Sequence, residues 1–432
     1  MSDTRNVIHR ALASVRVIDP HCHLRPHKPS ADNLADIVLY HHVWIELVSA
    51  GMGQYEVSIA GLPQELTDPG MAPLERVHHA LPYLERIENT TLGLFLRWLL
   101  RDLYGVEELS EANLERAAAI VEERGKDAAW QEEVLRRRCG IEASITVEHG
   151  TPYSQAVYLG QEGLPINIAD GKRSPQQVLA AMESSLGREI RSARDYRELL
   201  AKLLRTQPVD GRKFVGLWPL PYLTPELANE TDVNRIIAKA RAGESLSQTE
   251  MGGFSYHPIT RALDELRATN LRTIQVIVGA EVLPPHRAIT HWSGSFTGAI
   301  ARIACAYEDF HFNLSAASDL YTQDLAILAK HIPNISVAGC WWHCLYPFYI
   351  RKSLETRLDI VPGNKIIAYF SDAYHSEWCY PKLLLVKQTV EDVLVERVER
   401  GWYSLDLALD LVERLFYSNA MQLYGLTETS GE

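Results

Sequence analysis

Short runs of β-branched and other apolar residues recur along the chain, and the segments between several of them have the spacing of amphipathic helices. Each run has the length and composition of a strand that is buried on both faces, as in a parallel sheet. Strands and helices that alternate in this way favour right-handed βαβ units. Seven strands are predicted, at residues 15–19, 143–147, 213–217, 273–278, 311–314, 335–338 and 366–370.

The length of 432 residues fits either two average domains or one enlarged barrel. The series of parallel strands favours the second, an α/β fold of the (β/α)8 TIM-barrel class that occupies residues 1–432 as a single domain. Seven strands are one short of a closed barrel, and we expect the eighth between residues 24 and 142. Residues 73–138 are rich in Leu, Ala, Glu and Arg with helical spacing. They predict a helical insertion after the first strand, at about residues 30–138.

The charge balance disfavours some classes of partner. A formal net charge of −12 is unlike that of nucleic-acid-binding proteins, which normally carry a clustered basic surface. Residues 1–10 lack the apolar stretch of a signal peptide, and the most apolar segments are too short for a bilayer or are interrupted by a charge. We therefore expect a small-molecule substrate and neither nucleic acid nor membrane as a partner, and we leave homo-oligomerisation open.

Six cysteines are too few for a disulfide framework in a chain of this length. They fit a reducing compartment, and we expect a cytoplasmic protein. Cys340 and Cys344 are four residues apart, but no second closely spaced pair accompanies them. A structural zinc site at this pair is therefore disfavoured, and both thiols are expected in the core or in a pocket wall.

Two histidines follow the first predicted strand. In the segment VRVIDPHCHL, His21 and His23 are two residues apart, so both imidazoles point the same way from an extended backbone. Neutral imidazole is the commonest protein ligand for zinc and suits related divalent metals. With 16 histidines in the chain, one such pair is expected by chance, and its place at the end of a strand gives it weight. We predict that the pair binds a metal ion at the barrel mouth.

A carboxylate follows the last predicted strand. Asp372 ends the segment IIAYFSD, and the first and last strands of a barrel are neighbours. Asp372 is therefore expected to face His21 and His23, either as a third metal ligand or as a base. The alternative is that Asp372 caps the helix that follows.

These segments resemble a known family. IDPHCHLRPHKPSADNL, at residues 18–34, closely resembles the opening of the uronate isomerases, a branch of the amidohydrolase superfamily. Further segments resemble landmarks of the same family in the same order, namely Trp341-Trp342, Asp372, Tyr380-Pro381 and Ser418-Asn419-Ala420. The resemblance implies a barrel with a helical insertion and one divalent metal ion held by His21, His23 and Asp372. Zinc is the expected metal, with manganese and iron as alternatives.

Several positions depart from the family pattern. Uronate isomerases carry an arginine two residues after the aspartate of the last strand, where this chain has Tyr374, and a tyrosine where it has His42. The segment Leu217-Trp218-Pro219 resembles a Trp-Arg-Pro strand end, and Ile277 replaces a histidine. The arginines would clamp a substrate carboxylate bidentately. Their loss favours a substrate class other than a sugar acid.

Aromatic side chains take the place of these charges. Four follow predicted strands, where side chains line a barrel mouth, and they are Trp218, Trp341, Trp342 and Tyr374. They are expected to bind a less polar or aromatic substrate, although simple packing accounts for such clusters equally well. Arg25, just after the histidine pair, is a further candidate for substrate binding.

Candidates for acid–base chemistry are histidines near strand ends. His149 and His343 follow predicted strands, and His42 occupies the tyrosine position of the family. His375 and Glu148 are weaker candidates, since a lone histidine or carboxylate in a loop is more often structural. No lysine stands at the end of a predicted inner strand to bridge two metal ions, which favours a mononuclear centre.

The leading prediction from the sequence is a metal-dependent hydrolase. In it a metal-activated water attacks an amide, an ester or a lactone, Asp372 accepts the proton, and His343 or His149 polarises the scissile group. The first alternative is a uronate isomerase that interconverts the aldose and ketose forms of glucuronate or galacturonate. The second is a barrel that binds a partner without catalysis.

Overall fold

The computed structural model describes residues 3–53, 70–147, 156–158, 174–198, 212–217, 228–283, 287–340 and 342–427. Eight strands run parallel to a neighbour. They are β1 (Val17–Cys22), β2 (Ile141–Thr146), β3 (Ala156–Tyr158), β4 (Phe214–Leu217), β5 (Thr273–Val278), β8 (His311–Ala316), β9 (Ile335–Ala338) and β10 (Ile366–Ile367). Two further strands, β6 (Ala280–Leu283) and β7 (Arg287–Thr290), form an antiparallel hairpin.

One helix precedes the first strand, and the others lie between strands or after the last strand. They are α1 (Asp3–Ser14), α2 (Leu34–Val38), α3 (His41–Ser49), α4 (Pro73–Leu84), α5 (Thr91–Tyr104), α6 (Leu114–Lys126), α7 (Trp130–Glu132), α8 (Pro175–Leu186), α9 (Glu230–Arg241), α10 (Gln248–Leu266), α11 (Gly294–Ala306), α12 (Thr322–His331), α13 (Pro347–Ile360), α14 (Ser376–Glu399), α15 (Leu405–Glu413) and α16 (Asn419–Leu423). Two π-helical turns, Glu133–Arg138 and Arg414–Ser418, extend α7 and join α15 to α16. None of the described helices is long and apolar enough to cross a bilayer.

The strand order is that of a barrel. A six-stranded sheet has the order β10, β9, β8, β5, β4, β3, and β1 pairs separately with β2. Beyond the end of β10, the backbone nitrogen of Asp372 donates to the carbonyl of His21 at 3.0 Å, and that of His23 donates to the carbonyl of Ala373 at 2.8 Å. These two bonds join the segment after the last strand to the end of the first strand. The first and last strands are therefore neighbours, and we call the junction between them the seam.

One cluster of apolar side chains brings several strands together. Its members are Ile18, Ile145, Phe214, Ile277, Ala338, Ile367 and Phe370 from the strands or their ends, together with Tyr417, Ala420 and Tyr424 near the C-terminus. Ile277 is only 7% exposed and packs in this cluster. A larger apolar cluster extends through the surrounding helices.

The segment between β1 and β2 is helical, and its ends follow local sequence signals. Asn33 caps α2, because its side chain accepts from the backbone nitrogens of Ala35 and Asp36, and Thr90 caps α5 in the same way. Gly105 ends α5 in a left-handed conformation with a φ of +68°. Gly125 in α6 lies so close to Ala31 that a Cβ there would be 2.3 Å from its carbonyl oxygen. The helices therefore pack tightly on the chain that leaves β1.

The prediction for the eighth strand was wrong in its location. This strand is β3, at residues 156–158, which lies between β2 and β4 in the chain and at one edge of the six-stranded sheet, and not within residues 24–142. Three residues are too few to produce a pattern that distinguishes a strand from a loop. The hairpin of β6 and β7 was not predicted either.

Candidate metal centre

The two histidines of the predicted site lie at the end of β1, His21 within the strand and His23 directly after it. His21 is only 2% exposed, and its Nδ1 lies 2.9 Å from Oε1 of Gln275 on β5. The amide nitrogen of Gln275 donates to the carbonyl of Pro20 at 2.8 Å and to the hydroxyl of Tyr424 at 2.7 Å. Since both amide hydrogens are used, the amide oxygen must accept from His21, which assigns the proton of the imidazole to Nδ1. The Nε2 atom of His21 is then free to bind a metal ion.

Asp372 completes the group. Its Oδ1 lies 3.3 Å from Nε2 of His21 and 3.4 Å from Nε2 of His23. One ligand atom from each of the three residues lies within 4.8 Å of the others. Two imidazole nitrogens and one carboxylate oxygen are a donor set that suits zinc and related divalent ions. The three residues therefore fit a single divalent cation, and no other such group occurs among the residues that the structure describes.

The charge state of Asp372 follows from its neighbours. Burial raises the pKa of its carboxyl, but the hydrogen bonds and charges that His21 and His23 supply when they are protonated outweigh burial and hold that pKa well below its ordinary value. The carboxylate is therefore ionised at neutral pH, as a metal ligand must be. Asp372 does not cap the next helix, because the N-cap residue of α14 is His375.

The backbone of Asp372 is unusual. Its φ of +48° lies in the left-handed region, and in the described residues only Trp342, with a φ of +42°, shares this feature among non-glycine residues. Both residues follow strands and lie at the same site. Strained backbone of this kind concentrates at functional sites, because surrounding contacts must impose it.

A small cavity of about 10 Å³, with room for about one water molecule, lies beside Asp372. The residues that line it come from the insertion, from the loops after β9 and β10 and from α14. They are His42, Leu92, Cys340, Trp342, Leu345, Tyr346, Ser371, Asp372 and Lys382. Much of this lining is apolar or aromatic. These side chains are the candidates for contact with a substrate that binds beside the metal site.

Two histidines near the cavity are neutral at pH 7. Burial and, to a smaller extent, the charge of Lys382 lower the pKa of His42 to about 3. Burial also lowers the pKa of His343, whose ring stacks on that of Trp342 with the centroids 4.7 Å apart. The Nε2 atom of His343 is buried and has no hydrogen-bond partner in the described part of the chain. It is therefore available to a ligand.

Other predicted residues divide into three groups. Tyr374 stacks on His23, with ring centroids 4.4 Å apart, and thus lies at the centre. Arg25 donates to Asp32 at 2.9 Å and to the carbonyl of Ser30 at 3.0 Å, so a substrate-binding role stays a prediction. The third group, His149, Glu148, Trp218 and Trp341, lies outside the described residues.

The sequence analysis missed three residues that hold the centre. Gln275 orients His21, and Lys382 and the hydroxyl of Tyr40 contact the backbone of Asp372. Gln275 carried one signal, because a glutamine in the middle of an otherwise apolar strand needs a buried partner. Lys382 carried a similar signal, since it stands between apolar residues of α14.

Comparisons with known proteins support the fold. No protein-family model and no curated protein matches the chain. Three solved structures resemble it over almost their whole length. A uronate isomerase from Thermotoga maritima is 14% identical with a TM-score of 0.79, and the match covers 98% of each chain. A glucuronate isomerase from Caulobacter crescentus is 15% identical with a TM-score of 0.80, and the match covers 99% of this chain and 96% of that one.

The third is a uronate isomerase from Bacillus halodurans, 16% identical with a TM-score of 0.69, and the match covers 99% of this chain and 98% of that one. Identities this low establish a common fold and nothing finer. The resemblance and the fold class predicted from the sequence are confirmed at that level: the chain has the TIM-barrel fold of these uronate isomerases, with a helical insertion after the first strand.

Proposed function

We propose that the protein is a metal-dependent enzyme that interconverts the aldose and ketose forms of a small sugar acid or a related hydroxy-carbonyl compound. One observation carries the proposal. Two imidazole nitrogens and an ionised carboxylate converge at the mouth of a barrel that matches uronate isomerases over 98–99% of its own length. The sequence alone favoured hydrolysis, and the full-length match favours its first alternative.

Each residue of the site has a task in such a reaction. A divalent cation, when bound, supplies a Lewis acid for the carbonyl oxygen of the substrate. Gln275 keeps the Nε2 atom of His21 deprotonated and directed at the cation site. Isomerisation also requires a base that moves a proton between adjacent carbons. His343 is the candidate base, because its buried Nε2 has no partner among the described residues.

His42 suits a different task. With a pKa of about 3, its imidazole is too weak a base to remove a proton from carbon. It lines the cavity and is neutral, so it can exchange hydrogen bonds with a substrate hydroxyl. We therefore assign His42 to substrate orientation.

Hydrolysis of an amide, ester or lactone is the second candidate function, and the lining of the cavity favours it. Leu92, Leu345 and Trp342 offer apolar surface, and Ala373-Tyr374 stands where uronate isomerases have an arginine. The only cationic side chain of the described lining is Lys382, whose ammonium contacts three protein oxygens. The chemistry of this lining suits a substrate with an apolar portion better than a carboxylate.

Incubation with substrates decides between the two. The protein, loaded in turn with zinc, manganese and iron(II), is mixed with glucuronate and galacturonate and, separately, with panels of esters, lactones and amides. Ketose formation that disappears in His21→Ala and Asp372→Asn supports isomerisation. His331→Ala, at an exposed histidine of α12, is the matched control and should behave as wild type.

Other results lead elsewhere. Hydrolysis that depends on His21 and Asp372, without ketose formation, would replace isomerisation by the second candidate. Binding of a ligand without turnover, and without metal, would favour a non-catalytic barrel. We also propose zinc as the resident metal and the cytoplasm as the location, on the donor set and the sparse cysteines respectively.

A further inference from the structure

Two neighbouring carbonyl groups at the metal centre point at one buried ammonium group. Nζ of Lys382 lies 2.7 Å from the carbonyl oxygen of Ser371 and 3.4 Å from that of Asp372. We infer that Lys382 is a positioning residue, whose ammonium group holds the strained backbone of Asp372 so that the carboxylate faces His21 and His23. It thereby sets the affinity of the site for its cation. The inference rests on the metal centre of the proposed function.

The conformation of Asp372 needs such a constraint. A non-glycine residue in a sparsely populated backbone region costs about 1–3 kcal/mol, and it persists only where surrounding contacts impose it. On the amino side, the nitrogen of Asp372 donates to the carbonyl of His21. The preceding residue, Ser371, donates from its nitrogen and from its hydroxyl to the buried carboxylate of Asp19. These bonds hold the backbone on the amino side of Asp372. None of them involves the carbonyl group of Asp372.

Lys382 and Tyr40 make the hydrogen bonds on the carbonyl side of Asp372. The hydroxyl of Tyr40 donates to the carbonyl of Asp372 at 3.2 Å and accepts from Lys382 at 3.1 Å. An ammonium group has three hydrogens, and Lys382 has three oxygens within reach, from Ser371, Asp372 and Tyr40. The ammonium also lies 5.2 Å from the centre of the Tyr40 ring, which is within the range of a cation–π contact. All hydrogen bonds of this cation therefore go to one small region around Asp372.

The burial of Lys382 supports a specific role. The residue is only 1% exposed, and no salt bridge joins it to a carboxylate in the described part of the chain. A buried cation without an ion pair is costly, and it is retained where its hydrogen bonds serve a purpose that an apolar side chain would not. The same side chain lines the cavity beside Asp372. Its contacts are thus made at the site itself and not in the general core.

Metal binding without turnover tests the inference. Cobalt(II) is titrated into wild type, Lys382→Met and Lys387→Met, and both the dissociation constant and the visible absorption spectrum are recorded. Lys382→Met keeps the length of the side chain and removes the ammonium. Lys387, a half-buried lysine on the same helix, is the control. We expect Lys382→Met to bind cobalt about 10–100-fold more weakly, with an altered spectrum, as is typical when a residue that supports a metal ligand is changed.

Other results of the cobalt titration would overturn the inference, the proposed function or both. Wild-type affinity and spectrum in Lys382→Met would overturn the inference and assign the residue to general stability. If this variant does not fold, Tyr40→Phe removes only the hydroxyl that bonds the Asp372 carbonyl, and an unchanged cobalt affinity there would equally overturn it. Cobalt binding that is weakened as expected in a protein without isomerase activity would overturn the proposed function alone. A wild-type protein that binds no cobalt would overturn both.

Discussion

At the scale of single residues, the orientation of His21 depends on a chain of hydrogen bonds through the barrel. Tyr424 donates to Asn313 at 3.0 Å and accepts from Gln275, and Gln275 accepts from His21. Each member of the chain is buried. A metal-binding histidine is normally fixed by such a partner, which sets both its tautomer and the direction of its ring.

Changing Gln275 should therefore weaken metal binding. In Gln275→Met the side chain keeps its size and loses the oxygen that accepts from His21. We expect the affinity for zinc to fall about 10–100-fold, because the imidazole is then free to rotate and to change tautomer. Competition with a chelator of known affinity measures this change. Gln388→Met, at an exposed glutamine of α14, is the control, and equal affinities in the two variants would contradict the role of Gln275.

A histidine remote from the metal centre should make stability depend on pH. Burial and, to a smaller extent, the charge of Lys365 lower the pKa of His311, at the start of β8, to about 4. The unfolded chain binds the proton near pH 6.5, so the contribution of His311 is fully present above that pH and is lost as the pH falls towards 4. Between pH 7.5 and pH 5 the loss amounts to about 2 kcal/mol.

Urea unfolding of wild type and His311→Gln at these two pH values checks this. The variant lacks the titrating group, so its free energy of unfolding should fall by about 2 kcal/mol less than that of wild type. A pH dependence that is the same in both proteins would show that His311 titrates normally in the folded state.

Three residues of the site could be predicted at this scale, and three could not. His21, His23 and Asp372 follow recognisable strands and carry metal-binding groups. Gln275 and Tyr40 act through partners distant in sequence, since Gln275 is 254 positions from His21 and Tyr40 is 332 positions from Asp372. Lys382 is 10 positions from Asp372, but the sequence does not show that its side chain turns back to that carbonyl. No local pattern states which distant backbone a buried side chain will contact.

At the scale of elements, one carboxylate connects the helical insertion to the helix that follows the metal centre. Glu377, in the first turn of α14, accepts from the hydroxyl of Tyr104 at 2.9 Å and from the indole nitrogen of Trp130 at 3.0 Å. It also accepts from the backbone nitrogen of Ala31 at 3.2 Å. The three donors come from different parts of the insertion and from the segment that leads into it. Glu377 therefore determines how the insertion packs beside the site.

Glu377→Gln should destabilise the protein. The amide that replaces one carboxylate oxygen presents hydrogens to groups that are themselves donors, and buried unsatisfied donors cost about 1–3 kcal/mol each. We expect the free energy of unfolding in urea to fall by about 2–3 kcal/mol. Gln388→Glu makes the reverse change at an exposed position of the same helix and should alter stability by less than about 0.5 kcal/mol. A loss no larger in Glu377→Gln than in this control would contradict the connecting role.

Elements with enough residues to repeat a pattern were predictable. Seven strands and the helical character of the insertion followed from the spacing of apolar residues. β3 has three residues, and the hairpin of β6 and β7 extends directly from β5 after a single glycine, Gly279. α10 begins at Gln248, because Ser247 and Glu250 form a capping box at that point.

At the scale of the whole molecule, the barrel joins residues that are about 350 positions apart in the chain. A cation bound by His21, His23 and Asp372 links the first strand to the last across the seam that two backbone hydrogen bonds also bridge. Such a cation binds only the folded chain, because the unfolded chain does not hold the three groups together. The sequence could predict this junction, but not the reaction, since hydrolysis and isomerisation can use the same three ligands.

Removal of metal should lower the thermal stability. A ligand present at 100 times its dissociation constant stabilises the folded state by about 2.7 kcal/mol, and the melting temperature then rises with its concentration. Differential scanning calorimetry of the zinc-loaded protein, with and without a chelator, measures the shift. In Asp372→Asn, which keeps a side chain that tolerates the left-handed backbone, the chelator should have little effect. A chelator effect as large as in wild type would argue against Asp372 as a ligand.

The most direct measurement is the number of divalent metal ions bound per chain, determined by elemental analysis after dialysis against zinc and then against metal-free buffer. We expect about one ion per chain in wild type and in His331→Ala, and almost none in His21→Ala and Asp372→Asn. A wild-type protein that retains no metal, or a His21→Ala variant that retains as much as wild type, would contradict the account.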